Sequence, residues 1–217
     1  MKNKSLLITG VIMAASSLFF TSCKKEDTTA PVLTLTGTDM TLDLLDTYNE
    51  PGFTATDDED GDLTSAVTVT GAVVNSDVAV TTLTYSVSDA AGNTASATRT
   101  VTVRTNKLAG TYDVASAVTG KYVGNYNFTA TVTQSSTAYN KILVSNFGGL
   151  GTAVVVNATV SGKNITVANQ SPTGMQDPGA VSGSGTIQGI DIKNFTYSIV
   201  YTSSGSDNCV DTYSNHQ

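Results

Sequence analysis

The chain has 217 residues, with 18 acidic against 11 basic side chains and a formal net charge of −7. An acidic chain without a basic patch interleaved with aromatics excludes nucleic acid as a partner. One histidine and two cysteines leave too few ligands or bases for a zinc cluster or a histidine triad.

Residues 1–22 have the three parts of a secretory signal. Lys2 and Lys4 lead, an uncharged run extends from Leu6 to Phe20, and Thr21-Ser22 precede Cys23. A helix needs roughly 20 apolar residues to cross a bilayer, so this run is too short to be read as a retained span. The expectation is a segment removed on export.

Phe20-Thr21-Ser22-Cys23 resembles the lipobox of bacterial lipoproteins, with Phe and Ser where that family usually has Leu and Ala or Gly. The resemblance implies that Cys23 is acylated and becomes the first residue of a protein held to the outer membrane and facing the cell exterior. The flanking Phe-Thr-Ser-Cys-Lys-Lys is similar to lipoproteins of the Bacteroidota. Lys24-Lys25-Glu26-Asp27 resembles the charged tag of their surface-exposed members, and a plain solvated tether is the competing reading. Residues 23–30 are accordingly read as lipidated cysteine and tether. With Cys23 committed to lipid, Cys209 has no disulfide partner and is read as a small buried hydrophobe.

Thr, Val, Gly and Ser dominate the remainder of the chain, and apolar residues recur at period two in short runs, so the fold class is all-β. Charge divides the chain. From Thr28 to Arg104 there are 11 acids against Arg99 and Arg104, whereas from Asn106 onward five Lys balance five Asp. The step places a domain boundary at Arg104-Thr105-Asn106-Lys107, giving domains at 31–104 and 107–217.

In the first domain, Pro31–Leu35 reads as an opening strand. Leu83, Tyr85 and Val87 alternate with polar residues in a half-buried strand, and Asp89-Ala90-Ala91-Gly92-Asn93 turns the chain into a partner strand, 95–103. Tyr48, Pro51-Gly52-Phe53-Thr54-Ala55-Thr56-Asp57, Asp60-Gly61-Asp62-Leu63-Thr64, Val67-Thr68-Val69, Leu83-Thr84-Tyr85 and Asp89–Asn93 together resemble the bacterial immunoglobulin-like domain known as the DUF5011 or Cry22-type repeat. That resemblance implies a seven-stranded sandwich serving as spacer or binding module. The sequence departs from the family at 74–80, where a Pro-Gly turn is usual.

The acidic run Asp57-Asp58-Glu59-Asp60-Gly61-Asp62 admits calcium, because crowded carboxylates repel one another without a cation. Asp57, Asp58, Asp60 and Asp62 are the candidate ligands, with Asp89 as a fifth. A solvated turn whose acids cap main-chain amides is the competing reading. The run is only a fragment of an EF-hand loop, since Val69 stands where the twelfth-position acid belongs.

The second domain reads as eight strands near 110–118, 122–134, 140–146, 152–160, 163–168, 181–188, 192–202 and 208–213. Sequential hairpins without helices suit an antiparallel barrel or a strongly curved meander. Leu108-Ala109-Gly110-Thr111-Tyr112 resembles the opening of calycin-like barrels, which implies a cavity for an apolar ligand; a barrel filled by its own side chains is the other expectation. Tyr112, Tyr122, Tyr126, Tyr139, Tyr197, Tyr201 and Tyr213 are expected at the edge of the core with hydroxyls reaching water; stacking on sugar rings by those that cluster outward is the competing reading, against which the absence of Trp counts. Gly174–Gly189 lacks the lysine of a phosphate loop and reads as a loop entering a strand.

No catalytic residue is assigned. The carboxylates Asp113, Asp177, Asp191, Asp207 and Asp211 are scattered, and a glycan-processing enzyme would need two of them in one cleft. The expectation is a non-catalytic, membrane-anchored envelope lipoprotein acting as a binding or spacer module for a glycan or another envelope protein. A calcium-stabilised adhesive module is the alternative.

Overall fold

The computed structural model describes residues 26–214 apart from 176, 178 and 204. Cys23, the signal segment and His216 lie outside them. Seven strands make the first half: β1 (Val32–Leu35), β2 (Met40–Asp43), β3 (Phe53–Asp57), β4 (Gly61–Asp62), β5 (Thr68–Thr70), β6 (Val80–Ser88) and β7 (Thr94–Arg104). They form two sheets, β1-β3-β4 and β2-β7-β6-β5, in which β2 runs parallel to β7 and the remaining pairs are antiparallel. This is the expected sandwich. Period-two alternation turns Leu83 and Tyr85 of β6 and Val101 of β7 inward, where Leu33, Leu35, Met40 and Phe53 close over them.

The same alternation carries Arg99 of β7 into the interior, 1% exposed. A buried guanidinium is stable only when paired and hydrogen-bonded. Arg99 ion-pairs with Glu50, donates to the Thr36 carbonyl at 2.6 Å and lies 5.6 Å from the centre of the Tyr85 ring. Tyr48 and Tyr85 also donate to the Glu50 carboxylate. Burial pushes the Glu50 carboxyl up, but the hydrogen bonds from Tyr48, Tyr85, Gly52 and Arg99 outweigh it and hold the group at about 2.

The second half is a closed barrel of eight antiparallel strands, each paired with its neighbours in chain order. They are β8 (Gly110–Gly120), β9 (Gly124–Gln134), β10 (Lys141–Ser145), β11 (Val155–Ser161), β12 (Asn164–Gln170), β13 (Ala180–Gln188), β14 (Asp191–Val200) and β15 (Ser206–Ser214), with β15 closing on β8. Along β9 the outward positions are Asn125, Asn127, Thr129, Thr131 and Thr133, while Ala130 and Val132 are buried. Polar outside and apolar inside is the reverse of a membrane-spanning barrel. Among the described residues no helix is long and apolar enough to cross a membrane.

The two halves share a core. Leu44, Val78 and Val103 of the sandwich belong to the same buried cluster as the barrel interior. Val78 and Gly162 exchange two backbone hydrogen bonds of 3.0 Å, and the Thr105 amide donates to the Tyr139 carbonyl at 3.0 Å. Two ion pairs join the acidic half to the balanced one: Lys107 to Asp46 at 2.5 Å and Lys163 to Asp77 at 3.8 Å. Segment 74–80, where the sequence departs from the repeat it resembles, supplies this junction. Residues 139 and 162 lie on connections at one end of the barrel, so the connections through 121–123, 146–154, 171–175 and 201–203 gather at the end away from the sandwich.

Candidate functional site: the open end of the barrel

The barrel is filled through most of its length by its own side chains. Tyr112, Phe147, Phe195, Tyr197 and Tyr213 are almost fully buried and meet edge-on or tilted, with ring centres 4.5 Å apart for Phe147 and Tyr197 and 5.8 Å for Tyr112 and Tyr213. The single proton of the Tyr112 hydroxyl is shared between the carbonyls of Leu108 (2.9 Å) and Ile190 (3.1 Å), so the buried hydroxyl has protein acceptors within reach. The expectation that the tyrosines lie at the core edge with wetted hydroxyls is therefore corrected for Tyr112, Tyr197 and Tyr213. They are inward positions of β8, β14 and β15, and ring burial there outweighs exposure of the hydroxyl.

The other tyrosines behave differently. At the end away from the sandwich a cleft of about 550 Å³ opens between Val118, Tyr126, Phe128, Ile199 and Cys209 of the strands and Tyr122, Tyr201, Leu150 and Met175 of the connections. Tyr122 and Tyr126 are 53% and 46% exposed. The Tyr122 and Tyr201 rings meet edge to face at 5.5 Å, and the Lys121 ammonium sits 5.2 Å and 4.6 Å from their centres. Asp207, 2% exposed, fixes this corner by accepting from the Tyr122 amide and the Tyr201 hydroxyl, both at 2.8 Å.

Asp177 also lines the cleft. It accepts from Thr202 at 2.6 Å and from Ser203, and Lys121 stands 3.9 Å away. The hydrogen bonds from Ser203 and Thr202 hold its carboxyl below the usual range. Two carboxylates thus share one cleft, a meeting that the sequence alone does not reveal. Asp177 accepts at both of its oxygens from Thr202 and Ser203, and Asp207 at both of its own from Tyr122 and Tyr201, so each carboxylate is held in place by the loops around it. Burial pushes the Asp211 carboxyl up to about 6 against opposing contacts from Ser116 and Tyr197, but this group lies inside the barrel and does not line the cleft. Burial likewise pushes the Cys209 thiol up to about 11, so the sulfur at the cleft floor is a poor nucleophile.

The acidic run of the sandwich is only partly assembled. Asp57 Oδ1 accepts from the amides of Glu59 and Asp60 at 3.0 Å, Asp62 Oδ1 from the Thr64 amide at 2.9 Å, and Asp60 Oδ2 from the Ala90 amide at 2.6 Å. These are the amide-capping contacts of a solvated turn. Asp57 and Asp89 nevertheless converge, and the third member of their cluster is Asp27, ahead of β1, with a carboxylate oxygen of each within 4.8 Å of the others. Asp58, Asp60 and Asp62 are not members of that cluster: Asp58 is exposed, and Asp60 and Asp62 accept from the amides of Ala90 and Thr64. Asp89 is 8% exposed. Burial pushes its carboxyl up, but hydrogen bonds from the Asn93 side chain and amide outweigh this and hold it below the usual range.

The sandwich has a known counterpart. Residues 33–103 match the family model of the bacterial surface protein Ig-like domain. The match to the Ig-like domain includes Asp57 and Asp89 but neither Asp27 nor the barrel. No curated protein matches the chain. Among solved structures, the lipoprotein BT2262 from Bacteroides thetaiotaomicron is similar at 19% identity and a TM-score of 0.37, covering 84% of this chain and 99% of that one. The CBM51-2 and INT domains of Clostridium perfringens ZmpB, in complex with GlcNAc, are similar at 18% identity and a TM-score of 0.31, covering 84% of this chain and 44% of that one.

Proposed function

We propose that this chain is a non-catalytic lipoprotein of the bacterial envelope, anchored to the outer membrane through Cys23, that captures a small extracellular glycan in the open end of its barrel. The observation that carries the reading is the cleft itself. Its volume of about 550 Å³ falls within the roughly 300–1,000 Å³ of small-molecule sites. Tyr122, Tyr126, Tyr201 and Phe128 line it with aromatic faces, against which the C–H faces of a sugar ring pack, while Asp177 and Asn127 offer polar atoms for hydroxyl groups. The Ig-like domain occupies the opposite end of the barrel and is the half next to the tether, so it serves as a spacer that directs the cleft away from the anchor.

The test is saturation-transfer NMR of the full-length protein in detergent with a panel of neutral and acidic oligosaccharides. One or more glycans should bind, and Tyr122→Ala, at an exposed position, should weaken binding at least about tenfold while leaving the melting temperature nearly unchanged. Failure of every glycan to bind, or binding indifferent to both Tyr122→Ala and Tyr126→Ala, would remove the capture reading. For the anchor, Cys23→Ser should release the protein from the membrane fraction, and continued membrane association would contradict acylation.

A further inference from the structure

We propose that Asp27, Asp57 and Asp89 bind one calcium ion, and that the ion fastens the N-terminal tether to the Ig-like domain. The three residues come from separate places: the tether, the end of β3 and the turn between β6 and β7. A carboxylate oxygen from each lies within 4.8 Å of the others. Like charges so close repel by about 1 kcal/mol per pair in bulk water and more near a protein surface, so the arrangement calls for compensation. Among the described residues no Lys or Arg forms an ion pair with any of the three. Local donors meet part of the need: the Asn93 amide and side chain donate to the two oxygens of Asp89 at 2.8 Å, and the Thr29 amide donates to Asp27 at 2.9 Å.

Asp57 is the independent observation. Its Oδ1 takes two amides, while its Oδ2 is closed off from solvent and receives no hydrogen bond. A shielded carboxylate oxygen without a donor is costly unless a cation meets it. Carboxylate oxygens within 4.8 Å of one another fit around calcium, which takes hard oxygen ligands at about 2.3–2.6 Å, so that a pair on opposite sides of it stands about 4.6–5.2 Å apart. Three protein carboxylates fall short of the 6–8 oxygens calcium takes, and water completes the shell.

The site differs from a calcium-loaded acidic loop, because its first ligand lies outside the matched domain and four residues beyond Cys23. The Asn93 side chain already donates to the Asp27 carbonyl at 3.3 Å, so the ion would strengthen an existing contact. If Cys23 is the lipidated residue proposed above, the pinned tether would hold the Ig-like domain close to the anchor. The site itself does not depend on that reading.

The test is calorimetric titration of the full-length, chelator-treated protein in detergent with calcium alone, joined to amide hydrogen exchange at Thr28 and Thr29. We expect one ion per chain with an affinity of about 0.1–1 mM or tighter, the range of extracellular modules, and slower exchange at both amides when calcium is present. Asp27→Asn and Asp57→Asn, which keep shape and hydrogen-bonding capacity, should each weaken binding at least about tenfold, whereas Asp62→Asn should not. Absence of binding at about 10 mM calcium by a folded protein would overturn the proposal. So would binding that Asp62→Asn abolishes and Asp27→Asn spares, which would return the ion to the acidic loop.

Discussion

Asp211 shows what a single charge does inside a filled barrel. It is fully buried, and neither its two oxygens nor the hydroxyls of Ser116 and Tyr197 make a regular hydrogen bond among the described residues. Because burial raises its folded-state pKa from 3.8 to about 6, the fold favours the protonated form. The associated stability is complete below the unfolded-state value and is lost as pH rises through about 6. Asp211→Asn cannot ionise and should escape that loss. We expect its melting temperature to exceed that of the parent at pH 7 by an amount equivalent to roughly 1–3 kcal/mol, with the gap closing near pH 4. Parallel melting curves for the two proteins across that range would show that Asp211 is not the titrating group. Neither Asp211 nor Arg99 reads as interior from sequence, because strand alternation assigns the face of a charged residue only once register with neighbouring strands is known. Glu50, the partner of Arg99, is 49 residues away in the chain.

Strands are the scale at which this chain is most legible. Period-two runs place the eight barrel segments close to their observed bounds, since each strand presents one face to a common interior and the other to water. What alternation does not convey is close packing between specific strands. Gly183 and Gly185, which the sequence already places in the strand near 181–188, are interior positions of β13. A Cβ on Gly185 would lie 2.3 Å from the Phe195 ring, and one on Gly183 would lie 2.4 Å from the Tyr197 Cβ. The glycines make room for the two rings of β14 that fill the barrel. Gly185→Ala should therefore cost about 1–3 kcal/mol in denaturant unfolding, and Phe195→Leu in the same chain should recover part of the loss through a coupling of at least about 0.5 kcal/mol. Strict additivity of the two changes would mean that the contact with Phe195 does not limit the site. The Asp27 contact is illegible in the sequence for a related reason: it joins residues 30 and 62 positions apart, and no local pattern encodes such a meeting.

At the scale of the whole molecule the two halves are continuous rather than strung together. The step in charge at Arg104 marks where one sheet system gives way to the next, yet the buried cluster runs through it, with Val78 at 2% exposure entering the barrel core. Paired backbone hydrogen bonds between Val78 and Gly162 and the ion pairs at Asp46 and Asp77 reinforce the joint from both sides. Units that share a core lose contacts in both when either unfolds, so their melting is coupled. We expect calorimetry of the intact chain to give one transition whose van't Hoff and calorimetric enthalpies agree. Val78→Ala should lower stability by roughly 1–3 kcal/mol, and Val78→Asp, which forces an unpaired charge into the joint, should split the transition into two. Two resolved transitions in the parent protein would show instead that the joint is too weak to couple the halves. A barrel rigidly mounted on the Ig-like half keeps its cleft in a fixed direction relative to that half, as the proposed spacer role requires, whereas a loosely joined one would sweep its cleft through every orientation.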